Sequence, residues 1–265
     1  MGTSPPPRPS LLAVTGTQRD LPLLVFLPGM DGSALTLQYQ SNTLKNKFDA
    51  RCFVIPGEDR TGWSGLVSQL LKLVAIAKAE QPHRPIYLCG ESFGGCLALQ
   101  AICAAPHLFD RLVLVNPASS FKRQVWSSGA FILQWLPRTV YRLGAVGLLP
   151  FLIASERVSK QNNQALLDVM RQVAPETAAW RLSLLRSFQL DTTALTRFRQ
   201  PTLLITSTAD RLLPSVAEGK QLKPWFKDSR ILTLPNSGHA CLLETDVSFY
   251  QLLRQGQFVA ETTAA

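Results

Sequence analysis

The sequence predicts an α/β fold: a mostly parallel central sheet flanked by helices, with a helical insertion near the middle of the chain. Three observations predict it. Short apolar runs recur along the chain, each bounded by Gly, Pro, Asn or Asp. Segments of helical period lie between many of them, so the strands need crossover connections and run parallel. Between residues 119 and 199 this alternation stops and only helical pattern remains. The strands are continuously apolar rather than alternating, as expected where both faces of a sheet are covered.

Each element can be justified in turn. Residues 1–20 open with MGTSPPPRPS, which lacks the apolar stretch of a secretory signal, and Pro6 breaks the myristoylation pattern. They are expected to form a loose arm; with arginine and no acid before Asp20, a transit-peptide remnant is the alternative. LPLLVFL (21–27) is a buried strand ending in the turn cluster PGMDGS. RCFVIPG (51–57) is a second strand. LVSQLLKLVAIAKAE (66–80) is a helix that stops before QPHRP. PIYLCG is a third strand, GGCLALQAICAAP a helix stopped by Pro106, and DRLVLVNPA (110–118) a fourth strand. PTLLITST (201–208) and SRILTLPN (229–236) are two more, separated by the helical PSVAEGKQLKPWF, and TDVSFYQLLRQG is a closing helix. The core is therefore 21–118 with 200–265. Residues 119–199, with patterns such as NQALLDVMRQVA and AAWRLSLLRSFQ, form a helical cap over one end of the sheet.

With 265 residues, 46% of them apolar, the chain can bury a sizeable core. No uninterrupted apolar run approaches the roughly 20 residues of a membrane span. Five cysteines (Cys52, Cys89, Cys96, Cys103 and Cys241) form no CxxC pair and sit among apolar residues, so they read as buried free thiols in a reducing compartment. The three histidines do not pair with cysteines at metal-ligand spacing, and no motif suggests a metal or a redox cofactor, so neither is expected. The net charge is +9, which raises nucleic acid as a partner. However, the 119–199 segment holds +7 of it and no nucleic-acid-binding motif accompanies the charge, so no nucleic acid is expected.

The chemistry centres on CGESFGGC (89–96). Gly90-Glu91-Ser92-Phe93-Gly94 is a G-x-S-x-G pattern placed between a strand and a helix, where a sharp turn exposes a serine hydroxyl. Ligands of an open parallel sheet bind outside the carboxyl ends of its strands, and Ser92 falls there. A serine needs a base, and the base needs an orienting acid. Asp210 lies just past the strand ending in LLITST, and His239 just past the strand ending in LTLPN, so both reach the edge that carries Ser92. His83 and His107 precede strands and fall at the opposite end. Asn116 occupies the other position from which an acid could act. An oxyanion hole needs two backbone N–H donors. Phe93, directly after the serine, and Met30, in the loop LPGMDGS after the first strand, are the candidates.

With these motifs in place the chain resembles the α/β-hydrolase superfamily over nearly its whole length, from FLPGMDGS through GESFGG and TADRLLPS to NSGHACLLE. PLLVFLPGMDGSA, IYLCGESFGGCLALQ, LVNPASSF and NSGHACLLE further resemble the esterase/lipase/thioesterase domain of the plant and cyanobacterial phytyl ester synthases. That resemblance implies the α/β-hydrolase fold and acyl transfer or hydrolysis, with Ser92, Asp210 and His239 as the triad. It also implies action at photosynthetic membranes or lipid bodies. Those synthases carry a second domain with an H-x-x-x-x-D motif, which this sequence does not contain.

Three functions are consistent with these residues. The first is a serine esterase, lipase or thioesterase on an acyl lipid or thioester. The second is an acyltransferase in which a lipid alcohol such as phytol or diacylglycerol replaces water. The third is a hydrolase-fold binding protein. Dehalogenase and epoxide hydrolase chemistry would need an aspartate at the nucleophile. The segment 126–154 is apolar but interrupted by Pro137, Arg138 and Arg142, which suits pocket lining or an interfacial position better than a span. With the basic cap, it predicts peripheral contact with an anionic membrane or lipid droplet surface. The expected location is cytoplasmic with such association, or plastid if the N-terminus is a transit remnant.

Overall fold

The computed structural model describes residues 8–121 and 149–259. Along the chain the strands and helices of the first part are β1 (Ser10–Ala13), β2 (Leu23–Leu27), α1 (Leu35–Tyr39), α2 (Ser41–Leu44), β3 (Asp49–Val54), α3 (Trp63–Glu80), β4 (Ile86–Glu91), α4 (Phe93–Ala104) and β5 (Arg111–Val115). The cap segment contributes α5 (Lys160–Gln172), α6 (Pro175–Ser187) and α7 (Thr192–Leu195). The chain returns to the sheet with β6 (Thr202–Ser207), α8 (Ser215–Leu222), β7 (Ser229–Leu234) and α9 (Phe249–Gln255).

The seven strands form one sheet in the order β1-β3-β2-β4-β5-β6-β7. Every pairing is parallel except β1 with β3. This is the α/β-hydrolase architecture. All residues of β2, β4 and β6 are buried, as their continuous hydrophobicity requires. Alternate residues face opposite ways. Leu23, Val25, Leu27 and Leu88 pack on one side with α3 and α4. Leu24, Phe26, Tyr87 and Cys89 pack on the other with Leu37, Leu44 and Phe249 of α1, α2 and α9.

One expectation is corrected. Residues 10–13, assigned to a loose arm, form an antiparallel edge strand with Ser10 opposite Val54 and Ala13 opposite Arg51. Beyond its end, Val14 N–H donates to Ala50 O at 2.8 Å, and the Thr15 hydroxyl donates to Phe48 O at 2.9 Å. Four residues are too few to display a period, and a mostly exposed edge strand needs little apolar signal to pair. The short helices α1 and α2 were not anticipated either. Most of the apolar segment 126–154 lies outside the described residues.

Candidate active site

Ser92 sits between β4 and α4 with φ 53° and ψ −113°, a conformation that L-residues other than glycine rarely adopt. Its neighbours hold it there. Ser92 N–H donates to Val115 O at 3.0 Å, and its own carbonyl accepts from Gly95 N–H at 2.9 Å and Ala118 N–H at 3.1 Å. The glycines allow this closeness. A Cβ on Gly94 would collide with the Leu27 carbonyl, and one on Gly95 would lie 2.7 Å from Pro117 Cβ.

The structure brings the three predicted polar residues together. His239 Nε2 is 2.8 Å from Ser92 Oγ, and His239 Nδ1 is 2.7 Å from Asp210 Oδ2. The other Asp210 oxygen accepts Leu212 and Leu213 N–H, each at 2.9 Å, which fixes the carboxylate plane. Burial works against a charged His239 ring. The Asp210 carboxylate, by charge and hydrogen bond, and the nearby Glu91 outweigh that and raise its pKa above the ordinary imidazole value. His83 and His107 precede β4 and β5 and lie at the opposite end of the sheet, as expected. Asp31 hydrogen-bonds Ser33 rather than His239.

Phe93 directly follows Ser92, and Met30 lies in the loop after β2, whose Leu27 and Pro28 carbonyls lie against Gly94. Gly32 N–H donates to Gly29 O at 3.0 Å and closes a turn, and among the described residues Met30 N–H meets no hydrogen-bond acceptor. Phe93 is the first residue of α4, and a helix leaves its first N–H groups without intrahelical acceptors. Beside the Met30 loop a cleft of about 360 Å³ opens, lined among others by Asp31, Ser33, Ile55, Val169 and Val173.

Several residues that support the site were not recognised in the sequence. Fully buried Asn116, at φ 42°, donates to His239 O at 2.6 Å and to Ser207 Oγ at 2.9 Å, joining the ends of β5 and β6 to the histidine loop. Glu244 accepts Ser237 Oγ–H at 2.8 Å and Gly238 N–H at 2.7 Å, and pairs with Arg157 of the cap segment at 2.6 Å. Glu91, the second residue of the G-x-S-x-G pattern, is buried, and its Oε1 has no hydrogen-bond partner. Burial, and secondarily the charge of Asp31, pushes its pKa up to about 7, against the pull of His239 and Thr36. Arg181 of α6 is buried and donates to Met30 O. Its signal was available: the buried positions 178, 181, 184 and 185 form one helical stripe, and an arginine stands on it.

Among the described residues no three His, Cys, Asp or Glu side chains gather as metal ligands would, and no helix is long and apolar enough to cross a membrane. Four of the cysteines are buried, Cys103 is half-buried, and all five are free thiols.

Comparison with known proteins agrees with this architecture. The chain is 31% identical over 259 residues to phytyl ester synthase 1, chloroplastic, of Arabidopsis thaliana, covering 89% of this chain and 37% of that protein. It is 41% identical over 118 residues to phytyl ester synthase 2, chloroplastic, of the same plant, covering 44% and 17%. The chain thus spans little more than a third of the length of the first of these relatives. Among solved structures, MenH from S. aureus superposes with a TM-score of 0.70 at 16% identity, covering 94% of this chain and 99% of that one, which shows the shared fold. Residues 58–246 match the family model described as serine aminopeptidase, S33, and with a strained serine elbow joined to a buried histidine and aspartate on a seven-stranded sheet, the chain belongs to this Hydrolase_4 family of α/β-hydrolases.

Proposed function

We propose that the protein is a serine hydrolase of acyl esters or thioesters of lipid-like substrates, working through an acyl-enzyme on Ser92. The observation that carries this reading is the Ser92–His239–Asp210 hydrogen-bonded chain, at 2.8 and 2.7 Å, on a strained elbow. In the proposed reaction His239 Nε2 takes the Ser92 proton as Oγ attacks the carbonyl carbon. The oxyanion that forms accepts hydrogen bonds from Met30 and Phe93 N–H. His239 then passes its proton to the leaving oxygen or sulfur, and the carbonyl re-forms as the acyl-serine ester. Asp210 keeps the Nδ1 proton in place and stabilises the imidazolium. An incoming water, deprotonated by His239, releases the acid and restores Ser92.

A second reading has a specific motive. The 31% identical relative is named a phytyl ester synthase, so a lipid alcohol replaces water as the acyl acceptor in the alternative. The relatives' designation as chloroplastic supports a plastid location. The basic, apolar cap supports contact with an anionic lipid surface, at about 1 kcal/mol for each Lys or Arg near it.

A fluorophosphonate probe should label Ser92, and Ser92→Ala should remove both labelling and ester hydrolysis, by roughly 10⁶-fold in turnover. Near-wild-type turnover in Ser92→Ala would sink the reading, and absence of labelling would favour a non-catalytic binding protein. Mass spectrometry of acyl lipids incubated with and without phytol separates hydrolysis from transfer. Flotation with anionic and neutral liposomes at low and high salt tests the lipid surface. Failure to float with anionic liposomes at low salt would leave a hydrolase without membrane docking.

A further inference from the structure

We infer that Arg181 is a positioning residue of the oxyanion hole: from the cap helix α6 it clamps the Met30 loop in the orientation that presents the Met30 amide beside Ser92. This rests on the serine hydrolase reading and extends it to a residue outside the triad.

The geometry is specific. Arg181 is 2% exposed, and its Nη1 donates to Met30 O at 2.7 Å. Nη2 donates to Pro56 O at 2.7 Å and to Ile55 O at 3.4 Å, past the end of β3. One rigid, planar guanidinium thus spans the loops after β2 and β3. Gly32 makes room for it: a Cβ there would lie 2.9 Å from Nη1 and would meet the Ile55 carbonyl. The loop is also tied from below, where Ile55 N–H donates to Gly32 O at 2.9 Å. Met30 N–H belongs to the Gly29–Met30 peptide, whose carbonyl accepts Gly32 N–H at 3.0 Å, and Arg181 holds the next peptide through Met30 O, so the two bonds together fix both sides of the Met30 Cα. Unclamped, that residue could turn its N–H away from the oxyanion position.

The same helix also supports the other donor. The Phe93 ring stacks on Trp63 with centroids 4.7 Å apart and planes 25° from parallel. Trp63 Nε1–H in turn donates to Leu184 O of α6 at 3.0 Å. Both proposed donor residues are therefore referenced to one helix. An apolar side chain at 181 would continue the buried stripe of α6, and exchanging a buried charge for a hydrophobe is often neutral for stability. The guanidinium does something that a methionine of similar length would not: it satisfies three carbonyls of the loops that frame the site.

The test uses Arg181→Met and Arg181→Lys in the whole chain, with the concentration of competent sites counted by fluorophosphonate titration. With a p-nitrophenyl ester, kcat per titrated site should fall about 10- to 100-fold in Arg181→Met, below the 10²–10³-fold loss of an entire oxyanion donor. KM should stay within about twofold. Affinity for an alkyl trifluoromethyl ketone, which adds Ser92 Oγ and leaves an oxyanion, should weaken by the same factor as kcat. Arg181→Lys should recover part of both. A purely structural role would lower the melting temperature or the titrated fraction and leave kcat per site unchanged. That result, or a loss confined to KM, would overturn the inference. If Arg181→Met does not fold, Arg181→Lys decides on the same two readouts. Wild-type protein that neither labels nor hydrolyses would overturn the hydrolase reading itself, and the role of Arg181 with it.

Discussion

Replacing Glu91 by glutamine should stabilise the protein, and by more the higher the pH. Glu91 closes β4 immediately before Ser92, is 5% exposed, and leaves Oε1 without a hydrogen-bond partner. Burial raises its pKa from 4.5 to about 7. Below pH 4.5 the carboxyl is protonated in both the folded and unfolded states and carries no penalty. Between 4.5 and 7 the unfolded chain releases a proton that the folded chain keeps, so stability falls as pH rises; above 7 the full penalty stands. A shift of that size corresponds to about 3 kcal/mol in all. A glutamine side chain cannot ionise, so the advantage of Glu91→Gln over wild type should grow by about that amount from pH 4.5 to 8.5. Urea unfolding at intervals across this range measures it. The difference between variants is the useful quantity, because other groups have the opposite sign and cancel. Asp49 is one: burial opposes its charge, but Arg51 and Arg84 hold its pKa below the usual carboxylate value, so its contribution is lost as pH falls. A stability difference that does not change with pH would refute the assignment of a buried, proton-retaining Glu91.

Where Glu91 is ionised, its charge helps raise the His239 pKa, so in the same variant the part of the acidic limb of kcat/KM that lies above about pH 7 should move to lower pH. An unmoved limb would count against that coupling. Asp210→Asn should keep the melting temperature close to wild type and lower kcat by about 10⁴-fold, because the amide favours the wrong imidazole tautomer. Gly94→Ala should cost about 4 kcal/mol or more, or prevent folding, since its methyl meets the Leu27 and Pro28 carbonyls; a thermal melt reads this directly. Burial pushes the Cys103 thiol up to about 11 and raises the other four thiols as well. Ellman's reagent at pH 8 should therefore react slowly with the native protein and promptly with five thiols after denaturation.

The parts of this protein that were legible in its sequence are those where one local rule acts alone. A parallel strand covered on both faces must be continuously apolar, so β2 through β6 announced themselves. Chain order and strand ends then placed Ser92, Asp210 and His239 at one edge, because each follows a strand of the same direction. What escaped depends on partners distant in sequence. β1 is defined by the neighbour it pairs with, not by its own pattern. Glu244 reads as an ordinary acid after an apolar run until Ser237, Gly238 and Arg157 converge on it. Asn116 read only as a missing acid, although its amide ties down the carbonyl of His239.

These distant ties bear on what the cap helices do. Arg157 pairs with Glu244 and with Asp246 at 2.9 Å, so the cap segment holds the loop that presents His239. Ala240 N–H donates to Leu152 O at 2.8 Å, and Gly238 packs so closely on residues 153–154 that a Cβ would lie 2.6 Å from Ala154 N. Asn162 of α5 reaches Leu243 O at 3.2 Å. On the other side, Arg181 and the Leu184 carbonyl of α6 hold Met30 and Trp63. Detaching this segment would break these bonds together, leaving the buried Glu244 carboxylate without Arg157, at several kcal/mol, and the Met30 and Pro56 carbonyls without the Arg181 guanidinium. The segment from 152 to 187 is therefore better understood as a wall built into the site than as a lid that lifts from it. Its cationic side chains set the two loops on which acyl chemistry at Ser92 would depend.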